Sequence, residues 1–444
     1  MTLFSEYLRQ MAVPAVCLIG LPALVAAQTP LTLERAVSFA RENDPWLEGS
    51  RYREQAAVAQ SVAAGTLPDP EVTLGFANLP VDSFDFGQEQ MTQFRVGVSQ
   101  MFPRGETREL KRRELSEQGA QYPLMRSDRL AKVTVAVSQQ WLEAFRNRQA
   151  VRLIEKDSAL FGHLVDVAES SYTTAAGKTR QQDLIRAQLE LTRLEDRLLV
   201  LQQQRESSLA KLAEWLPGFA AGGIVLSDTL PVLALNTPYL LSSTTGDTGQ
   251  LLQVLLTHPR IKTLDQKIIA TGTGVQLAKQ KYKPQWEINA GYGYRDDDPM
   301  GDDRSDFFSL GVSFDVPLFT FNRQDREVHA AQAGEAAIKT EKVLALRSMR
   351  AGFEAAQARL ERLNQRRALY EKRLLQEIHD QAEASLTAYT NDAGDFSEVV
   401  RARIAELNAN IDFLNINIDR LKTIAELNYF LTSVEADSTG GISP

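Results

Sequence analysis

From Trp286 onward the side chains alternate without a break. Trp286, Ile288, Ala290, Tyr292 and Tyr294 share one parity, with Glu287, Asn289, Gly291 and Gly293 between them. After a polar loop the alternation resumes as Phe308, Leu310, Val312, Phe314, Val316 and Leu318, interleaved with Ser309, Gly311, Ser313 and Asp315. A period of two sustained over both arms predicts a β-hairpin across residues 285–319. Each arm has roughly the length of a bilayer-spanning strand, with one apolar face, one face of glycine and polar groups, and aromatic residues near the ends. A half-buried sheet in a soluble domain carries the same alternation, so the rest of the chain has to separate the two readings.

Upstream, Thr32 is placed to cap a helix whose apolar residues Leu33, Val37 and Ala40 share a face; the pattern continues past a break at Asp44-Pro45 to about Ala64, where Gly65 and Pro68 end it. Val72, Leu74 and Phe76 then alternate, and after a loop Phe94, Val96 and Val98 alternate with Arg95, Gly97 and Ser99, predicting a second hairpin over 71–102. From Pro103, a residue suited to the first turn of a helix, the sequence runs to about Tyr172 with Pro123 as its one internal proline. As a single helix, roughly 70 residues at about 1.5 Å each span about 100 Å, beyond any globular core. The chain can turn near Thr174 to Gly177. The return segment then carries Leu184, Ala187, Leu191, Leu194, Leu198 and Leu201 at spacings of three and four, a heptad seam that implies a left-handed coiled coil.

Residues 218–247, rich in Gly, Pro, Ser and Thr, read as a connector, and then the programme repeats. A helix over 250–282 breaks at His258-Pro259, the hairpin over 285–319 follows, and a long helix runs over 322–389 to a turn around Asp392 to Gly394. The last helix places Ile404, Leu407, Ile411, Leu414, Ile418, Leu421 and Ala425 on a second seam, and the tail over 436–444 is expected to be disordered. The halves match in detail. PDPEVTLGF (68–76) parallels PQWEINAGY (284–292), and FRVGVSQMFP (94–103) parallels FSLGVSFDVP (308–317), at an offset of about 215 residues. The layout is a tandem duplication, 28–217 and 248–435, of helix, hairpin, long helix and heptad helix.

Export and composition narrow the reading. Arg9 precedes an apolar run over 11–24, and Val25-Ala26-Ala27 offers small residues for cleavage, so residues 1–27 read as a secretory signal. Cys17, the sole cysteine, lies inside it, and Val16 stands directly before it where a lipoprotein signal takes Gly, Ala or Ser. Cleavage after Ala27 leaves no cysteine, which excludes disulfides and thiol catalysis. No later segment reads as a transmembrane helix. A net charge of −8 without a glycine-rich phosphate loop argues against nucleic acid.

Chemical constellations fail one by one. The loop holding Asp296, Asp297, Asp298, Asp302, Asp303 and Asp306 begins like a calcium loop, but Met300 takes a ligand position and Phe307 the closing one where glutamate is required. It reads as a solvated loop, with weak cation attraction as the minority alternative. His163, His258, His329 and His379 lack zinc-ligand spacing. Glu195-Asp196 falls on a heptad helix where charge faces solvent, and no nucleophile elbow supports a Ser-His-Asp order. No enzyme, cofactor or resident metal is expected.

Two hairpins give four strands, and a closed barrel needs about eight. Open edges in lipid are forbidden, so copies must pool strands; a dimer gives eight and a trimer twelve, and physics alone leaves dimer, trimer and tetramer open.

The duplicated layout, LPDPEV (67–72), GVSQMFPRG (97–105), AAGKTRQQDLIRAQLELTRLED (175–196) and AYTNDAGDFSEVVRARIAEL (388–407) resemble TolC-type outer-membrane efflux proteins, the last segment most of all their heavy-metal, CusC- and CzcC-like branch. The resemblance implies a mainly α chain with a membrane β-barrel portion, assembled as a homotrimer. Its barrel of twelve strands sits in outer-membrane lipid and continues as an α-helical tunnel through the periplasm. It also implies a passive duct, served by an inner-membrane pump of the resistance-nodulation-division class and a periplasmic adaptor. Adaptor docking would fall at the tips of the helical hairpins, on Thr174, Gly177 and Asp183 and on Tyr389, Asp392 and Gly394, both tips departing from ordinary capping. Acidic rings just inside the second tip constrict the pore in such proteins. Glu398 matches the first acid, while Arg401 replaces the second and either latches to Glu398 across neighbouring helices or faces solvent. Metal cations are the implied cargo. Drugs or a polypeptide carried by the same fold, and a periplasmic coiled-coil scaffold without a barrel, are the alternatives.

Overall fold

The structure is a computed structural model that describes residues 30–173, 181–236, 248–391 and 394–434. The expected signal with Cys17, the turn of the first tip, the second part of the connector and the tail lie outside these residues.

Helices start where side chains satisfy their free N–H groups. The Thr32 hydroxyl accepts from Arg35 N (3.2 Å) at the head of α1 (Leu33–Glu42), and the Asp44 carboxylate accepts from Trp46 N (3.1 Å) ahead of α2 (Pro45–Ala64). Strands β1 (Glu71–Ala77) and β2 (Gln93–Phe102) follow, then α3 (Thr107–Gly119), α4 (Gln121–Thr173) and α5 (Gln181–Ala213). The second half contains α6 (Thr248–Thr257), α7 (Pro259–Lys279), β3 (Trp286–Tyr294), β4 (Phe307–Phe314) and α8 (Gln324–Leu369). A π turn over Tyr370–Leu374 leads into α9 (Leu375–Thr390), and α10 (Phe396–Phe430) returns from the tip.

The long helix expected from Pro103 differs in two places. It begins only at Thr107, because Gly105 turns the chain with φ 44°, and a Cβ there would lie 2.3 Å from Lys283 Cδ. It also breaks at Ala120. Pro123 has no N–H for the Gly119 carbonyl and its ring crowds that oxygen, so α3 closes at Gly119 and α4 starts afresh. The second long helix starts at Gln324 and is continuous except for the π turn, where Tyr370 stacks on Phe413 at 6.5 Å between ring centres.

The strands form one antiparallel sheet in the order β1-β2-β3-β4. Its register lines up Leu74, Val96, Tyr292 and Phe308 in one row and Val72, Val98, Ala290 and Leu310 in the next. All of these rows lie on a single face, on which Val72, Phe308 and Leu310 are 65%, 73% and 69% exposed. The opposite face carries Thr73, Gly97, Asn289, Gly291, Ser309 and Ser313. The two duplicated halves meet at β2 and β3, where Gly97 faces Gly291. Among the described residues β1 and β4 each have a strand partner on one side only.

Each strand is continued by a helix, and the helices keep the strand order: α2 packs on α3, α3 on α7 and α7 on α8. At the junction Arg104 pairs with Asp315 and donates to Lys283 O (2.9 Å), while Asp315 accepts from Gln285 N (2.7 Å), tying the two hairpins together. Farther from the sheet, α5, α4 and α10 lie side by side, with α10 also packed on α8 and α9. The main core gathers Trp141, Leu142, Leu212, Ile261 and Phe353. The described part of the connector docks on it: Leu31 pairs with Leu226, and Trp141 Nε1 donates to Leu31 O (3.0 Å). A second cluster, with Ile154, Leu194, Phe396, Val399 and Leu407, fills the bundle toward the tips. At 53 residues α4 spans about 80 Å. Among the described residues no helix is long and apolar enough to cross a membrane.

Candidate functional site at the helical tips

The second tip is built by a tight reversal. Gly394 lies so close to the end of α9 that a Cβ would stand 2.9 Å from Tyr389 N and 3.0 Å from the Ala388 carbonyl carbon. Asp395 then caps α10, its carboxylate accepting from Ser397 N at 3.0 Å. Departure from ordinary capping therefore does not hold at this tip: a regular aspartate cap starts α10, and Gly394 provides the close approach. Tyr389 sets its ring edge-on to Phe396 at 5.3 Å, anchoring the turn to the apolar cluster.

Glu398 and Arg401 both stand exposed near the start of α10, flanking the buried Val399, Val400 and Ala402. Among the described residues they make no ion pair with each other. Asp183 belongs to the start of α5. Thr174, Gly177 and Asp392 lie outside the described residues.

Deeper in the hairpin the structure assembles a charged network that linear spacing does not reveal. Arg403 on α10, its side chain only 10% exposed, donates to Glu383 on α9 (2.7 Å) and to Glu406 one turn on (2.8 Å). Glu406 is also bonded to His379 Nδ1 of α9 at 2.7 Å. Burial works to raise the Glu406 carboxyl, but hydrogen bonds from His379 and Arg403 outweigh it and hold the group low. The same hydrogen bond, with the Glu406 charge, holds the His379 imidazole above its ordinary value. Asp157 on α4 is pushed up by burial and by the Glu406 charge beside it. The helical spacing of Arg403 and Glu406 is visible in the sequence; their partners across the hairpin, 20 and 27 positions away, are not.

At the other end of the molecule, the aspartate loop is held by its own bonds. Asp298 accepts from Met300 N (2.7 Å) and Asp302 N (3.1 Å), and these amides hold its carboxyl low. A hydrogen bond with Asp303 raises Asp297. Arg304 reaches Gly87 O (3.1 Å) and Arg295 reaches Gln90 O (3.2 Å), stitching this loop to that of the first hairpin, while Asp296 lies close to Gly87. Among the described residues no group of His, Cys, Asp and Glu is arranged to hold a metal ion.

The fold has solved counterparts. The chain is similar to a membrane protein from Pseudomonas aeruginosa (TM-score 0.75, 14% identity, 90% of this chain and 92% of that one). It is similar to CusC, whose structures concern folding and transmembrane channel formation (0.73, 15%, 90% and 92%), and to the CmeC outer membrane channel of Campylobacter jejuni (0.73, 14%, 90% and 85%). No protein-family model matches the sequence, and no curated protein does. At these identities the likeness is one of fold: a mainly helical chain with a four-stranded antiparallel sheet, the helical-tunnel and β-barrel architecture of those proteins.

Proposed function

We propose that the chain is one subunit of an outer-membrane efflux channel of the TolC type, a passive duct in which three copies pool their strands into a twelve-stranded barrel above a helical tunnel. The observation that carries this is the sheet. One face is apolar and exposed across all four strands, the other is mostly small and polar, and among the described residues both edge strands are bare on their outer side. Lipid tolerates such a face and not such edges, so β1 of one copy must meet β4 of the next, antiparallel like the other pairs. The helical layer supports the same ring: its outer helices bear exposed Val58 and Val62 on α2 and Val343 and Leu344 on α8. A head-to-tail contact that closes into a ring satisfies both layers at once.

In this reading the hairpin tips take a periplasmic adaptor, and an inner-membrane pump of the resistance-nodulation-division class supplies the energy. Glu398 forms a cation-attracting ring at the entrance, with Arg401 on α10 of the neighbouring copy as its counter-charge. Metal cations are the proposed cargo, on the resemblance of residues 388–407 to the heavy-metal branch. Purification from membranes followed by mass measurement tests the assembly: a trimer is expected, and a water-soluble monomer overturns the channel. Deleting the gene and comparing tolerance to metals and drugs tests the cargo; loss of drug tolerance alone overturns metal. Single-channel conductance unchanged in both Glu398→Ala and Arg401→Ala removes those residues from the entrance.

A further inference from the structure

We infer that His379 and Glu406 form a proton-operated latch that fixes α9 against α10: the hairpin tightens when His379 is charged and loosens when it is neutral. As a property of the hairpin this stands apart from the channel reading; as regulation of the duct's entrance it rests on that reading.

The apolar hold on α9 is slight. Among its described residues only Ala382 is buried, with Leu386 and Tyr389 half-buried against the tip cluster. Charged contacts add to it, among them His379 to Glu406 at 2.7 Å and Glu383 to Arg403 at 2.7 Å. At its other end α9 leaves the π turn over Tyr370–Leu374, a wider turn of the kind found where helices bend. The arm is therefore held by charge at its middle and bounded by the π turn and the tip.

The charges decide when it is held. From α10 the arm faces Arg403 and Glu406, and α9 itself contributes Glu383 and His379. Behind them α4 presents Asp157, with Lys156 beside it, and Arg197 of α5 is engaged with Asn408 at 2.6 Å. With His379 neutral, two carboxylates share one guanidinium across the α9–α10 contact; a proton on His379 balances them. Arg403 keeps its charge at any physiological pH, so His379 is the member that switches. The Glu406 hydrogen bond holds His379 above its ordinary value. The contribution is thus fully present below the ordinary histidine value of about 6.5 and is lost as pH rises through the higher folded one.

The test is hydrogen–deuterium exchange of peptides within 375–390 in the assembled protein, corrected for intrinsic exchange, from about pH 5 to about pH 8. Protection should rise about two- to fivefold toward acid, the range of a half-exposed ion pair. H379Q, which keeps a hydrogen-bonding group without the titration, should abolish the step, and E406Q should abolish it from the other side. A flat wild type, or a step that survives in both variants, overturns the latch. Conductance across the same pH range reads the entrance separately: a change in wild type absent from H379Q supports regulation, and an exchange step with constant conductance overturns the regulatory half alone. Absence of any conductance counts against the channel and leaves the latch to the exchange data.

Discussion

His258 Nε2 donates to the Tyr429 carbonyl at 2.9 Å, while its Nδ1 accepts the Arg260 N–H at 3.1 Å and so caps α7. Only the neutral imidazole can donate at one nitrogen and accept at the other, so the cap fixes both tautomer and charge. The ring is fully buried, and burial pushes its pKa down. A lowered histidine resists protonation that the unfolded chain accepts. Its stabilisation is complete above the unfolded value of about 6.5 and falls as pH drops below it. The melting temperature should therefore fall from about pH 8 to about pH 5, measured in an H379Q background because His379 acts in the opposite direction. His258→Ala loses a cap and a buried bond, about 2 kcal/mol together, and should flatten the pH dependence.

The two faces of the sheet should answer differently to the same charge. Leu310 lies in the exposed apolar row with Val72, Val98 and Ala290, and Ser309 lies beside it on the polar face. In a bilayer, Leu310→Arg should cost about 2–4 kcal/mol if it lies near the midplane, while Ser309→Arg faces the lumen and costs little. Membrane yield and trimer content of the two variants measure the difference. Equal tolerance of both places the sheet outside lipid.

What the sequence shows and what it conceals divides along locality. The strands are legible because a two-residue period marks each arm and its twin repeats it, Gly75 matching Gly291 and Gly97 matching Gly311. The helix starts at Pro45 and Pro259 are legible because a cap and an N1 proline are neighbours in sequence. The late start of α3 is less so, since it depends on Gly105 meeting Lys283, far along the chain. The π turn leaves no mark: Tyr370 to Leu374 contain neither glycine nor proline. At the second tip Asp395 was readable as a cap from its own position, two residues before the amide it binds, but the family pattern draws the eye to Tyr389, Asp392 and Gly394 instead. Of the network around Arg403, the i,i+3 spacing to Glu406 is local, but the partners His379 and Glu383 meet it only when α9 folds back on α10.

Glycine is required at the tip position Gly394 and dispensable at Gly49. A methyl at Gly394 would meet backbone atoms of Ala388 and Tyr389 that cannot move aside, whereas nothing lies within 4 Å of a Cβ at Gly49, in the second turn of α2. Gly394→Ala should open the tip turn and raise proteolysis there, with an estimated loss of about 1–3 kcal/mol. Gly49→Ala should instead stabilise by about 0.5–1 kcal/mol. Limited proteolysis and thermal melting of the pair distinguish a conformational demand from an incidental glycine.

Arg129 joins α4 to the head of α2 in a way lysine cannot copy. Its guanidinium lies 5.8 Å from the Trp46 ring centre and 5.5 Å from that of Trp215, and its Nε donates to Asp44 at 2.7 Å. Asp44 is itself the α2 cap, with a side chain only 4% exposed, so the same carboxylate needs both partners. An ammonium at this position keeps the charge but loses the planar stacking between two rings and the second N–H directed at Asp44. Arg129→Lys should destabilise by about 1–2 kcal/mol, and Arg129→Ala by more, since it leaves a buried carboxylate with the Trp46 amide alone. The Asp44→Asn variant keeps the cap without the charge. Melting of the three single variants and the Arg129→Lys, Asp44→Asn double variant completes the comparison: the arginine's worth should shrink once Asp44 is neutral, and an unchanged cost would mean that the tryptophan sandwich alone holds α4 to α2.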